Sequence, residues 1–282
     1  MAQIGTVKVE TAGGPVELPV YELGDSGSNR IEAFRVQTAS GPGFVPLTDV
    51  SAADRPYLRV QTGNGVKAFD TSASGIPDSG DLYAPYDWQE ASGTSTVNDQ
   101  TGNGRDLTGT YTGPTETING FQAGAFDETD DVLSVDFSAI SQPFTIFMVW
   151  RPDTVGTSSE YVLDGGSSNE AAFRSGGGNW VLNAGGGSVD DNNDVSDNTT
   201  LIGEVLFNSA NSAGRANDTE VVAGNPGSDD LTGLTINQRG DRSDVALAGW
   251  TWGEMLVYPS DKTGIRQDVY SYFESRWGSI LP

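Results

Sequence analysis

Residues 97 to 107 read VNDQTGNGRDL, acids and amides set around two glycines, and a second acidic run, Asp127-Glu-Thr-Asp-Asp131, follows. Three chemistries use such residues: metal coordination, hydrogen bonding to a sugar, and closure of a turn, since Asn, Asp and Gly tolerate left-handed backbone and cap it locally. The chain has no cysteine and no histidine. Disulfides, thiolate nucleophiles, sulfur-ligated zinc and the usual general base are therefore excluded. Carboxylate, hydroxyl, amide and carbonyl oxygens remain, and calcium is the metal that such ligands prefer.

The charge balance narrows the setting. Of 282 residues, 39 are acidic and 15 basic, giving net −24, and only Lys8, Lys67 and Lys262 are lysine. Such a field pushes the chain apart in dilute buffer, but at about 1 M salt the Debye length falls to roughly 3 Å and the repulsion is screened. The composition reads as brine-adapted; an acidic, solubility-selected surface is the plainer alternative. Nucleic acid is not an expected partner, because neutralising phosphates takes clustered Lys and Arg, and an anionic membrane surface is excluded on the same ground. The start, MAQIGTVKVE, lacks an apolar run, and no stretch approaches the roughly 18 apolar residues of a membrane span. Neither a secretory signal nor an anchor is expected.

The elements that must position these loops are strands. Lys8-Val-Glu-Thr-Ala-Gly-Gly14, Arg35-Val-Gln-Thr-Ala-Ser-Gly41 and Arg59-Val-Gln-Thr-Gly-Asn-Gly65 share a [KR]-V-x-T-x-x-G pattern, and each is followed by a second apolar run, PVELPVY, PGFVPLT or VKAFDT. That pattern predicts three β-hairpins. They form a small domain over 1–75, too modest for an active site and suited to docking or self-association. TSASGIPDSG, 71–80, has the texture of a boundary. Over 76–282, short strand candidates separated by Gly, Asn and Asp predict a two-sheet antiparallel sandwich. Pro143 to Arg151 is nearly all apolar and predicts a central strand covered on both faces, and Thr200 to Phe207 a second core strand. Ala248 to Tyr258 predicts a long strand with Trp250, Trp252, Leu256 and Tyr258 on one side. Ile265, Val269, Tyr272, Phe273 and Trp277 recur at helical spacing, so one helix is expected within Ser260 to Gly278, with Ser260 or Asp261 as N-cap and Gly278 as C-cap. The fold class is therefore all-β: a hairpin domain, then a jelly roll with one C-terminal helix.

The order of motifs carries a resemblance. Trp88, the loop DQTGNGRDL, Gly120-Phe-Gln-Ala-Gly-Ala-Phe-Asp127, Asp130-Asp-Val-Leu-Ser-Val135, TIFMVWRPDT, EVLFNSAN, RANDTEV, WGEMLVY and YFESRWG resemble, over roughly residues 82 to 282, the laminin-G-like jelly rolls of the concanavalin A-like lectin/glucanase superfamily. Glu128 departs from the glycine usual after Phe-Asp. The resemblance implies two antiparallel sheets with ligand or calcium sites on rim loops in some members. The matching oxygen donors here are Asp99, Asn103 and Asp106, with Asp127, Asp130 and Asp131 on a second loop; the same residues also suit plain turns. Glucanases of the superfamily carry E-x-D-x-E or E-x-D-x-x-E on one strand, which places acid and nucleophile on one face about 5 Å apart. No such run is present, and Asp127 to Asp131 lacks strand spacing, so an enzyme is not expected. For glycan binding, Trp180 and Asn183 lie between SGGG and AGGG, close in sequence to Asp191 and Asn192 of the acidic run Asp190 to Asp194. A tryptophan there also reads as a sheet residue.

The whole arrangement is similar, more loosely, to virion surface proteins of tailed viruses infecting halophilic archaea. That resemblance implies a structural protein of the virion surface, a turret, decoration or fibre subunit. It would associate with itself and with other virion proteins through the hairpins and present a lectin-like domain to host glycans, possession of calcium being left open. The alternative is a non-viral carbohydrate-binding or glycan-hydrolysing surface protein of a halophile.

Overall fold

The computed structural model divides into two units, Met1–Ser79 and Gly80–Pro282. It describes residues 76–90, 95–113, 115–127, 129–154, 160–166, 170–176, 179–185, 187–194, 198–241 and 249–281, with side chains except at 90, 154 and 191–194, and the backbone of six strands before them.

Those six strands form three separate hairpins. β1 (Ala2–Thr11) pairs with β2 (Gly14–Glu22), β3 (Ala33–Thr38) with β4 (Gly41–Pro46), and β5 (Leu58–Thr62) with β6 (Gly65–Phe69). The repeated T-x-x-G is the closing step of each: Thr11 pairs with Gly14, Thr38 with Gly41 and Thr62 with Gly65. A two-residue connection of this kind favours the small and flexible residues found between each pair.

The second unit is a two-sheet antiparallel sandwich. Its strands are β7 (Ala84–Asp87), β8 (Thr96–Val97), β9 (Leu107–Thr110), β10 (Thr115–Ile118), β11 (Phe121–Phe126), β12 (Val132–Ile140), β13 (Phe144–Thr154) and β14 (Glu160–Asp164). There follow β15 (Ala172–Gly176), β16 (Asn179–Asn183), β17 (Ser188–Asp194), β18 (Leu201–Phe207), β19 (Ser212–Ala216), β20 (Thr219–Gly224), β21 (Leu231–Ile236) and β22 (Gly249–Tyr258). One sheet runs β10-β11-β22-β13-β18-β19-β20, with β7 also paired to β22; the other runs β17-β16-β15-β14-β21-β12-β9-β8. β13 and β18 are central and buried, as their unbroken apolar runs require.

Between the sheets lies an aromatic core. Trp150 meets Trp250, Phe173 and Trp180 edge to face, at centroid distances of 4.8, 6.3 and 5.2 Å. The indole N–H groups of Trp150, Trp250 and Trp252 have no hydrogen-bond partner within this core.

β22 departs from simple alternation. Its register against β13 slips where Val149 faces Glu254 and Trp150 faces Trp252, leaving Gly253 as a bulge. Trp250, Trp252, Met255 and Val257 therefore belong to the inter-sheet core, while Glu254, Leu256 and Tyr258 face the other way. The expected single face is split in two. Glycine is needed at the bulge, because a Cβ there would lie 2.8 Å from the Trp277 ring.

The opposite face is covered by α1 (Arg266–Trp277), the one α-helix among the described residues. A short 3-10 turn, Thr263–Ile265, precedes it; Asp261 accepts the Thr263 N–H at 2.9 Å, but the N-cap is Lys262 for the turn and Ile265 for the helix, neither with a side-chain cap, in place of the expected Ser260 or Asp261. The helix thus begins later than its apolar spacing predicts, and it ends at Gly278, where φ is 78°. Val269, Tyr270, Tyr272, Phe273 and Trp277 are buried. Beneath them sit two ionic clusters. Arg266 grips Glu204, with Tyr270 Oη 3.4 Å from the same carboxylate. Arg276 pairs with Asp87, and its Nε lies 2.9 Å from Glu254 Oε2, close but misaligned for a hydrogen bond. Glu254 also accepts from Tyr272 Oη (2.6 Å) and Trp277 Nε1 (2.8 Å).

Candidate functional site

The loop after β8 folds on itself. Asp99, only 4% exposed, accepts the Thr101 N–H at 2.9 Å and the Thr101 hydroxyl at 2.6 Å through Oδ1. Asn103 donates to the Thr101 hydroxyl at 2.8 Å, and Asp106 Oδ1 accepts the Asp99 N–H at 2.8 Å. Gly102 and Gly104 both have φ of 73°, the left-handed backbone that favours glycine. Tyr86 bridges to Asp99 and donates its hydroxyl to the Arg105 carbonyl at 2.8 Å; burial, reinforced by the Asp99 charge, holds that phenol far above its ordinary value.

The second acidic loop is the one place among the described residues where three carboxylates gather, Asp127, Asp130 and Asp131, with oxygens within 4.8 Å of one another. Asp99, Asn103 and Asp106 are not part of that group. Asp131, fully buried, accepts the Thr112 N–H at 2.6 Å through Oδ1 and the Asp127 N–H at 2.9 Å through Oδ2. Asp127 Oδ1 accepts from the Thr129 and Asp130 N–H groups at 2.8 and 3.1 Å. Burial pushes the Asp127 pKa up, yet the backbone N–H donors outweigh it and the net shift is downward. Asn237 donates to the carbonyls of Asp127 and Asp131 at 3.1 and 2.9 Å. Calcium takes six to eight oxygens. Both Asp131 oxygens and one of Asp127 already accept backbone N–H groups, so an ion held there would draw most of its shell from water.

The residues expected to meet a sugar are placed differently. Trp180 is 2% exposed and lies flat on Phe173, with centroids 4.7 Å apart and an interplanar angle of 3°. β16 has partners on both sides, and Trp180 shares the core face with Leu182. A stacking platform at Trp180 is thus replaced by a core position. Asn183 is buried with both ends of its amide engaged, accepting from Arg174 Nε at 2.9 Å and donating to the Gly187 carbonyl at 3.0 Å. The side chains of Asp191 and Asn192 lie outside the described residues.

A different group sits at the rim. Among the described aromatic residues, all are buried except Tyr83 and Phe137. These two meet edge to face with centroids 5.1 Å apart. Tyr83 precedes β7, where its N–H donates to the Val257 carbonyl at 2.8 Å, and Phe137 comes from β12 in the other sheet. Arg105, at the end of the glycine loop, lies 3.7 Å over the Tyr83 ring and donates to the Tyr83 carbonyl. A partly exposed aromatic edge beside a guanidinium can offer apolar contact to a sugar ring while the guanidinium pairs with an oxyanion. Its three residues come from three separate segments, so no local spacing announces them.

No protein-family model matches the sequence, and no curated protein matches it. Solved structures do resemble the fold. The binding domain of Paraclostridial Mosquitocidal Protein 1 aligns with 71% of this chain and 55% of its own, at 11% identity and a TM-score of 0.53. Trypanosoma rangeli sialidase in complex with 2,3-difluorosialic acid aligns with 97% of this chain and 53% of its own, at 10% identity and a TM-score of 0.55. The chain spans about half the length of either structure. At these identities the likeness establishes a shared β-sandwich architecture.

Proposed function

We propose that this chain is a non-catalytic carbohydrate-binding protein whose sandwich meets glycans at the rim formed by Tyr83, Arg105 and Phe137. The observation that carries this reading is that, among the described aromatic residues, two rings are only half-buried and an arginine lies over one of them. One protein of the same fold holds a sialic-acid derivative and another is a toxin binding domain, which supports glycan contact without fixing a ligand. Three buried carboxylates, Glu204, Glu254 and Asp87, are tied to arginines beneath α1, an arrangement that suits holding the helix and not proton transfer to a substrate. Calcium, if used, would be held by Asp127 and Asp130.

The finer reading follows from the acidity and the hairpins. The chain would be a virion surface subunit in brine, a turret, decoration or fibre component, with its hairpins associating with further copies and with other virion proteins. Arrays of weak sites gain avidity. A glycan array probed at molar salt tests the binding reading: retention of at least one glycan class, weakened by Tyr83→Ala, is expected, and silence across the array at both low and high salt would refute it. Light scattering after size exclusion tests self-association, and a strict monomer in every salt would count against it.

A further inference from the structure

We infer that the glycan met at this rim is acidic and that Arg105 grips its carboxylate, an inference that rests on the carbohydrate-binding reading above. Cations are scarce in this chain, and the described ones are engaged. Arg151, Arg215, Arg239, Lys262, Arg266 and Arg276 each meet a carboxylate, and Arg174 donates to the Asn183 amide oxygen at 2.9 Å. Arg105 meets none among the described residues, in a chain of net charge −24. The acids of its own loop are turned elsewhere: Asp99 closes onto Thr101, and Asp106 accepts the Asp99 N–H.

Arg105 is nonetheless held in place. Its carbonyl is fixed by the Tyr86 hydroxyl, its guanidinium lies on the Tyr83 ring, and one nitrogen donates to the Tyr83 carbonyl. A guanidinium has five N–H donors in a planar fork, and the half-buried Arg105 spends one of its nitrogens on the Tyr83 carbonyl. A planar fork matches a carboxylate bidentately. The Tyr83 and Phe137 edges next to it offer apolar surface to the C–H face of the same sugar. The chain's overall negative field opposes such a ligand in dilute buffer; at about 1 M salt screening over roughly 3 Å removes the field and leaves the contact pair.

The test is calorimetric titration of the full chain at about 1 M NaCl with a glucuronate-containing oligosaccharide and with the same oligosaccharide after reduction of its carboxyl to hydroxymethyl. The acidic form should bind about tenfold more tightly or better. Arg105→Gln should weaken the acidic form alone, and Arg105→Lys should restore part of the difference. In the unmodified chain, the Arg105 Nε–H NMR signal should move with the acidic ligand and not with the reduced one, a readout that holds even if a variant fails to fold. Equal affinity for both ligands, an acid preference that survives Arg105→Gln, or a stationary Nε–H signal would overturn the inference and leave the lectin reading standing. Tighter binding of a sulfated oligosaccharide than of the uronate would overturn the assigned class of anion. Failure of every glycan to bind would remove both readings together.

Discussion

Arg276→Met removes the cation from a site where its partners have no access to water. Asp87 and Glu254 are 1% and 2% exposed beneath α1. Removing one partner of a buried pair costs about 3–5 kcal/mol, because the remaining charge is left uncompensated. Glu254 keeps the Tyr272 hydroxyl and the Trp277 N–H, and Asp87 keeps the Gln89 N–H at 2.9 Å, so the lower half of that range is expected. For a domain of this size each kcal/mol shifts Tm by about 2–4 °C, giving a fall of roughly 6–16 °C. Arg215→Met is the matched control. Its pair with Glu220 is far more open, at 22% and 47% exposure, and exposed pairs contribute about 1 kcal/mol or less. Its Tm should fall by no more than about 4 °C. Calorimetry of both variants in one buffer reads the comparison. Falls of equal size would refute the weight placed on burial of the charges under the helix.

Other perturbations probe separate features. Gly253→Ala should lower Tm by roughly 2–12 °C in the same assay, from about 1–3 kcal/mol of overpacking against the Trp277 ring; an unchanged Tm would mean that the bulge relaxes freely. Burial pushes the Tyr111 phenol up from 10.0 to about 12. Its contribution to stability is complete below the unfolded value and is lost as pH rises from 10.0 toward 12, so phenolate absorbance should rise together with loss of folded structure across that window. Chelation of calcium should leave Tm unchanged to within about 1 °C if water supplies most of the shell; a large fall would place a tighter site on the Asp127 loop.

The strands most legible in the sequence were those whose environment is uniform. Pro143 to Arg151 is nearly all apolar because β13 has neighbours on both edges, a sheet below and α1 above, and the T-x-x-G repeats close hairpins because their turn chemistry is local. The split face of β22 was not legible: a bulge at Gly253 changes the phase of alternation, and nothing in GWTWGEMLVY marks whether that glycine is in step. Trp180 was drawn toward a ligand role by its glycine-rich flanks, whereas its position depends on β15 and β17 pairing on either side. Glu204 and Glu254 sit in apolar strands, and only distant residues of α1 account for them: Arg266 and Tyr270 for Glu204, Tyr272, Arg276 and Trp277 for Glu254. Tyr83, Arg105 and Phe137 belong to a rim that exists once the two sheets are stacked.

β17 forms an outer margin of its sheet, and its sequence, SVDDNND, carries aspartates at 190, 191 and 194. A foreign strand seeking to extend the ladder there would bring its own backbone alongside that negative row, a recognised deterrent to fusion of neighbouring sheets. Two copies brought edge to edge at this margin would set one acidic strand sequence against the other.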